Sequence, residues 1–101
     1  MQGQRDPVTL TLYSRPGCHL CHDMKAVVDR VIQSSPYEIS IEEVDISTDA
    51  ELEARYGIEI PVLLVNGAKA AKYRVTEEEL RRIVAGRAGG TGRAGGAARA
   101  G

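Results

Sequence analysis

The 101-residue sequence predicts an α/β domain: a mixed four-stranded sheet flanked by helices, with elements in the order β-α-β-α-β-β-α. Three observations predict it. The apolar period changes from two residues to about 3.6 and back along the chain. Two Thr-x-x-Glu boxes, Thr48 to Glu51 and Thr76 to Glu79, each have the form that opens a helix. Asn66-Gly67 lies between two extended segments, as a tight hairpin turn does.

The elements follow in order. Residues 1–7 read as a flexible lead-in. Val8-Thr-Leu-Thr-Leu-Tyr13 alternates apolar and polar, the period of a strand. Ser14-Arg-Pro-Gly17 interrupts it with turn residues. From His19 to Gln33 the residues Leu20, Met24, Val27, Val28 and Val31 share one helical face. Ser34-Ser-Pro36 ends that helix, because the residue before a proline avoids the helical region. Tyr37 to Ile46 reads as extended. Its phase slips at Glu42-Glu43, where a bulge or a strand edge is expected. Thr48 opens a short helix that Gly57 stops. Pro61 to Val65 is an apolar strand, and Ala68 to Tyr73 returns beside it. Thr76 opens the last helix with three acids on its positive end. Leu80, Ile83 and Val84 turn to the core and Gly86 ends the helix. The first βαβ unit is expected to be parallel and right-handed. Residues 86–101 are only Gly, Ala, Arg and one Thr, a composition that buries no core and reads as a disordered tail. The folded domain is therefore expected over residues 8–85.

Composition narrows the function. An apolar fraction of 43% with 27% charged residues is that of an ordinary globular domain. The longest apolar run, Pro61 to Val65, is too short to span a bilayer. The polar start shows no secretory signal, so a cytoplasmic location is expected. The net charge of −1 exerts no general pull on nucleic acid or anionic membrane, and neither is expected as a partner. That balance conceals an asymmetry: residues 1–85 carry 10 basic and 14 acidic side chains, whereas 86–101 carry three arginines and no acid. A monomer is expected.

Cys18-His-Leu-Cys21 is the chemistry-bearing motif. Two cysteines so close make a poor long-range staple, and a cytosolic compartment keeps thiols reduced. Cys18 falls where the first strand has ended and the helix begins, and Cys21 lies one turn later on the same side. Cα atoms three apart on a helix are about 5–5.5 Å apart, within reach of a disulfide. One sulfur at the helix start and one behind it suit thiol–disulfide exchange, in which one attacks and the other resolves. A free thiol is only roughly 3% thiolate at pH 7. The helix dipole lowers its pKa by about one unit. Arg15, close in sequence, is a candidate for the remaining charge, with protonated His19 a weaker one.

Cys18-His-Leu-Cys21-His22 also fits the C-x-x-C-H pattern of covalent haem attachment. That reading requires export and a second axial ligand. Two Cys and two His also suggest zinc, but a structural site takes two separated ligand pairs, and no second pair follows. No metal site is therefore expected, and Glu77 to Glu79 reads as helix capping.

Leu12-Tyr-Ser-Arg-Pro-Gly-Cys18-His-Leu-Cys21, joined to Tyr56-Gly-Ile-Glu-Ile60-Pro61-Val-Leu-Leu-Val-Asn-Gly67, resembles the small glutaredoxin-like proteins of the thioredoxin superfamily. The resemblance covers residues 8–85. It implies a thioredoxin fold, with Cys18 as nucleophile and Cys21 as resolving thiol. It also implies a cis Pro61 against the sulfurs and an Ile60 backbone that pairs with a substrate segment. Arg15 matches a basic residue that glutaredoxins carry three before the nucleophile. The thioredoxin signature departs: Leu12 and Gly17 stand where thioredoxins carry a buried Asp and a Trp, and the chain has no Trp. The Gly-Gly turn and following Asp with which glutaredoxins hold glutathione are replaced by Tyr73-Arg-Val-Thr-Glu77. Arg74 and Thr76 remain as candidates for a peptide carboxylate. The implied activity is a thiol–disulfide oxidoreductase acting on protein or low-molecular-weight disulfides, with no bound cofactor. Glutathione or a reductase would be its electron donor. The contrasting reading is a non-catalytic binding module that uses the Ile60-Pro61 edge.

Overall fold

The structure, a computed structural model, describes residues 7–88. The expectations for residues 1–6 and 89–101 lie outside the described residues. Strand β1 (Val8–Ser14) leads into helix α1 (His19–Ser34), followed by β2 (Ile39–Asp45) and a 3₁₀ turn (Ile46–Thr48). Helix α2 (Ala50–Tyr56), strands β3 (Val62–Val65) and β4 (Ala68–Lys72) and helix α3 (Glu77–Ala88) complete the order. The sheet order is β2-β1-β3-β4. β1 pairs parallel with β2 from Val8↔Ile39 to Ser14↔Asp45, and β1–β3 and β3–β4 are antiparallel. This is the mixed four-stranded α/β sheet that the periodicities predict.

Alternation along β1 decides its two faces. Val8, Leu10 and Leu12 are fully buried with Leu63 and Val65 of β3, Met24, Val28 and Val31 of α1, and Leu80 and Val84 of α3. Sheet and both long helices thus share one apolar cluster. Across its rim, Arg30 pairs with Glu77, and Arg81 donates to the Ser34 hydroxyl at 2.8 Å. The intervening position Tyr13 points the other way and meets α2.

The local signals divide into those that act as read and those that tertiary contacts override. The Asn66-Gly67 turn forms with both residues at positive φ, 52° and 85°. The Thr76 box closes reciprocally: Thr76 N donates to Glu79 Oε1 at 2.9 Å, and Glu79 N donates to Thr76 Oγ1 at 3.0 Å. The other box does not close. α2 is capped one residue later by Asp49, whose carboxylate accepts from Glu51 N and Leu52 N. Thr48 is instead held in the 3₁₀ turn, its hydroxyl donating to the Asp45 carbonyl at 3.0 Å. Of the bulge or strand edge expected at Glu42-Glu43, the edge is found: β2 lies at the edge of the sheet and keeps an unbroken register with β1. The phase slip moves the apolar position to Val44, which pairs with Tyr13 on the face that α2 meets. The register shift occurs between Leu63 and Leu64, where β4 places Ala71 and then Lys69 opposite them. Helix α3 runs through Gly86 to Ala88. Arg87, assigned by composition to the tail, donates to the Val65 carbonyl of β3 at 3.3 Å.

Candidate functional site

The C-terminal end of β1 delivers the chain to the site. Gly17 turns it at φ +81°, a left-handed conformation that a side chain would oppose. Cys18 follows as the N-cap of α1. Its N–H donates to the Arg15 carbonyl at 3.3 Å, and its Sγ accepts the Cys21 N–H at 3.1 Å. A sulfur in this position occupies the place of a capping oxygen, at the positive end of a 16-residue helix. Cys21 lies one turn on, with Cα atoms 5.2 Å apart, and the two are joined in a disulfide. Their surroundings differ: Cys21 is 3% exposed and packs into the interior, whereas Cys18 is half-buried. The α1 face that buries Met24 and Val28 also buries Cys21, because it shares their side of the helix.

The Tyr56-to-Val62 connection leads from α2 into β3. Ile60–Pro61 is a cis peptide and Pro61 is buried. The Ile60 N–H is already used, donating to the Tyr56 carbonyl at 3.1 Å, while the Pro61 carbonyl accepts from Tyr73 N at 2.8 Å. Of the Ile60 backbone, only the carbonyl has no hydrogen-bond partner among the described residues.

Arg74 is exposed and lines a cleft of about 260 Å³ whose lining also includes Leu20, one of the two residues between the cysteines, and Asp23. Thr76 lines the same cleft, but both its N–H and its hydroxyl serve the α3 cap. Arg15 turns to α2, where its guanidinium forms an ion pair with Glu53. Beside it, Asp45 is held below its ordinary value of 3.8, chiefly by the Ser47 hydroxyl and then by the Ser47 N–H. His19 and His22 are exposed. Among the described residues no group of three or more Cys, His, Asp or Glu side chains is placed to hold a metal. No described helix is long and apolar enough to cross a membrane.

Three contributors carried no signal in the sequence. Glu53 meets Arg15 across 38 positions. Tyr13 and Tyr56 stack with ring centroids 4.6 Å apart. Tyr73 adopts φ +69° in the stretch where glutaredoxins carry a glycine turn, and its hydroxyl donates to the Ile58 carbonyl at 3.4 Å.

The family described as Glutaredoxin-like domain (DUF836) matches residues 9–85, which include both cysteines and Pro61. The chain belongs to this glutaredoxin-like domain family. Among solved structures, protein XcR50 of X. campestris is 31% identical, with 74% of this chain and 93% of that one covered and a TM-score of 0.59. Protein Ne2328 of Nitrosomonas europaea is 26% identical over 82% of this chain and 98% of its own, with a TM-score of 0.64. A mutant thioredoxin of Halobacterium salinarum is 18% identical, covering 80% of this chain and 74% of its own, with a TM-score of 0.58. It shares the fold alone. No curated protein matches. The glutaredoxin-like chain therefore carries a thioredoxin fold with a C-x-x-C pair at the start of α1.

Proposed function

We propose that this glutaredoxin-like protein is a dithiol thiol–disulfide oxidoreductase, with Cys18 attacking and Cys21 resolving. The observation that carries the reading is the asymmetry of the pair. A half-buried sulfur caps α1, and a partner 3% exposed lies one turn behind it, within disulfide reach.

Both half-reactions balance. The Cys18 thiolate attacks a substrate disulfide R–S–S–R′, forming a Cys18–S–S–R bond and releasing R′–S⁻, which takes up a proton. Cys21, deprotonated, then attacks the Cys18 sulfur and releases R–S⁻. The substrate gains two electrons and the protein is left with the Cys18–Cys21 disulfide. A dithiol reductase or two molecules of glutathione return the two electrons. The Cys21 N–H on the Cys18 sulfur and the α1 N-terminus favour the attacking Cys18 thiolate in the first step. The Ile60 carbonyl offers one strand-type hydrogen bond to a substrate N–H. Arg74 is the cation available to an anionic group, since Thr76 is occupied by its cap. The protein needs no bound cofactor for this chemistry and works as a monomer in a reducing compartment such as the cytoplasm, on protein or small disulfides.

The test is turnover of the reduced full chain with a peptide disulfide and with a glutathione mixed disulfide, with either glutathione or a thioredoxin-reductase system as donor. Thiol release that disappears in Cys18→Ser supports the enzyme. An intact, reducible Cys18–Cys21 disulfide without turnover under either donor replaces it with a binding module.

A further inference from the structure

Arg15 stands three residues before Cys18 and reads in the sequence as the cation for its thiolate. In the folded chain its guanidinium is engaged elsewhere, with Nη2 donating to Glu53 Oε1 on α2. Glu43 and Asp45 share a cleft with Arg15; both carboxylates take hydrogen bonds from other groups, although the Arg15 charge also helps to hold Asp45 below its ordinary value. Glu43 Oε2 accepts from the Ser14 hydroxyl at 3.2 Å, and Asp45 Oδ1 accepts from the Ser47 hydroxyl at 2.6 Å. The backbone leaves room for the ion pair. A Cβ at Gly57 would stand 2.7 Å from Glu53 Oε1 and 3.3 Å from Arg15 Nη2. Cys18 has its own partner meanwhile, the Cys21 N–H at the α1 N-terminus.

We propose that Glu53 is a positioning residue for the Cys18 thiol. It holds Arg15 against α2 as a compensated ion pair, so that the first turn of α1, and not a free arginine charge, stabilises the thiolate. The inference rests on Cys18 as the attacking thiol. A second consequence follows from the backbone: the Arg15 carbonyl accepts the Cys18 N–H, so the side chain docked on α2 also fixes the turn that presents the sulfur. The other charged and titratable groups around this end of the fold are His19, His22 and Asp23 on α1, which are exposed, Arg74, which lines a cleft with Leu20 and Asp23, and Glu43 and Asp45 on β2.

The experiment is a charge cycle on the reduced full chain. The rate of Cys18 alkylation by iodoacetamide is followed against pH, with the labelled site read by peptide mass. Glu53→Gln keeps an acceptor for Arg15 but removes the compensating charge. The half-maximal pH should fall by about half a unit, roughly a threefold gain in thiolate below the midpoint. Arg15→Gln leaves Glu53 uncompensated and should raise the midpoint by a similar amount. The double variant and Arg15→Lys should return to the wild-type value. The Arg15 and Glu53 side chains are 38% and 37% exposed, so these variants are expected to fold. If Arg15→Gln raises the midpoint while Glu53→Gln leaves it unmoved, Arg15 acts on the thiolate directly and the proposal fails. It fails equally if no single variant moves the midpoint. The midpoint needs no disulfide substrate. Absent turnover with an intact cycle therefore removes the enzyme reading alone, and a flat cycle with normal turnover removes this one alone.

Discussion

Tyr13 at the end of β1 and Tyr56 at the end of α2 lie ring on ring, with centroids 4.6 Å apart and planes 25° from parallel. The stack joins the strand that leads to Cys18 to the helix that leads to Pro61. The Tyr56 carbonyl also accepts from Glu59 N at 2.8 Å and Ile60 N at 3.1 Å, so one residue ties the Pro61 connection to β1 through both ring and backbone. Aromatic pairs contribute about 0.5–1.5 kcal/mol beyond the area they bury. Tyr56→Leu should cost about 1–2 kcal/mol in urea unfolding, whereas Tyr56→Phe stays within about 0.5 kcal/mol of wild type. Equal stability of the two variants would show that stacking contributes nothing.

The cysteine pair makes a second expectation. Cys21→Ser, incubated with a peptide disulfide, should accumulate a mixed disulfide on Cys18, visible as an added peptide mass, because the resolving thiol is gone. In the reduced wild type, limiting iodoacetamide at neutral pH should label Cys18 before the nearly inaccessible Cys21. Labelling of Cys21 first reverses the assignment.

Two glycines should respond in opposite directions to alanine. At Gly57 a Cβ would stand 2.5 Å from the Glu53 backbone oxygen, so Gly57→Ala forces the α2 end apart and should cost about 1–3 kcal/mol. At Gly86, inside α3, a Cβ meets nothing within 4 Å, so Gly86→Ala should stabilise by about 0.5–1 kcal/mol. Thermal melts of the two variants check both signs, and a neutral Gly86→Ala would mean that the last turn of α3 frays.

Acid should loosen the α3 start. Glu79 is held below its ordinary 4.5, first by the Thr76 N–H and then by the Thr76 hydroxyl. Glu77 is held below it chiefly by its hydrogen bond from Arg30 on α1. A carboxyl whose folded pKa is depressed contributes stability that is present above its unfolded pKa and lost as pH falls through the folded value. Stability should therefore decline below about pH 4.5, and Glu79→Gln should lessen that decline. Thr76→Ala, which removes the cap hydroxyl, should cost about 1 kcal/mol at pH 7 in urea unfolding. An unchanged acid limb in Glu79→Gln would detach the cap from the pH dependence.

Much of the site was legible because its chemistry is local. Cys18 and Cys21 are set by their spacing at the N-cap and first turn of one helix, and their 5.2 Å Cα separation follows from that local geometry. The Thr76–Glu79 cap and the Asn66-Gly67 turn also close within four residues of chain. Where two local solutions compete, the sequence does not choose. Thr48 and Asp49 both suit an N-cap, and the 3₁₀ turn beneath α2 takes Thr48 and leaves Asp49 to cap. Gly86 reads as a helix stop, yet Arg87 reaches the Val65 carbonyl and α3 continues past it.

Periodicity, turn chemistry and cysteine spacing thus determined the element order, the mixed sheet and the thiol pair, since each depends on residues within a turn or a strand of one another. Only the tertiary structure decided that Arg15 belongs to Glu53, that Tyr13 meets Tyr56, and that a register shift lies between Leu63 and Leu64. It decided as well how the Ile60 N–H is used. The physical reason is that a charge or a ring has no preferred partner along the chain. Which groups it meets depends on how α2 is carried over the sheet, and burial and backbone accounting settle that only once all the elements are in place.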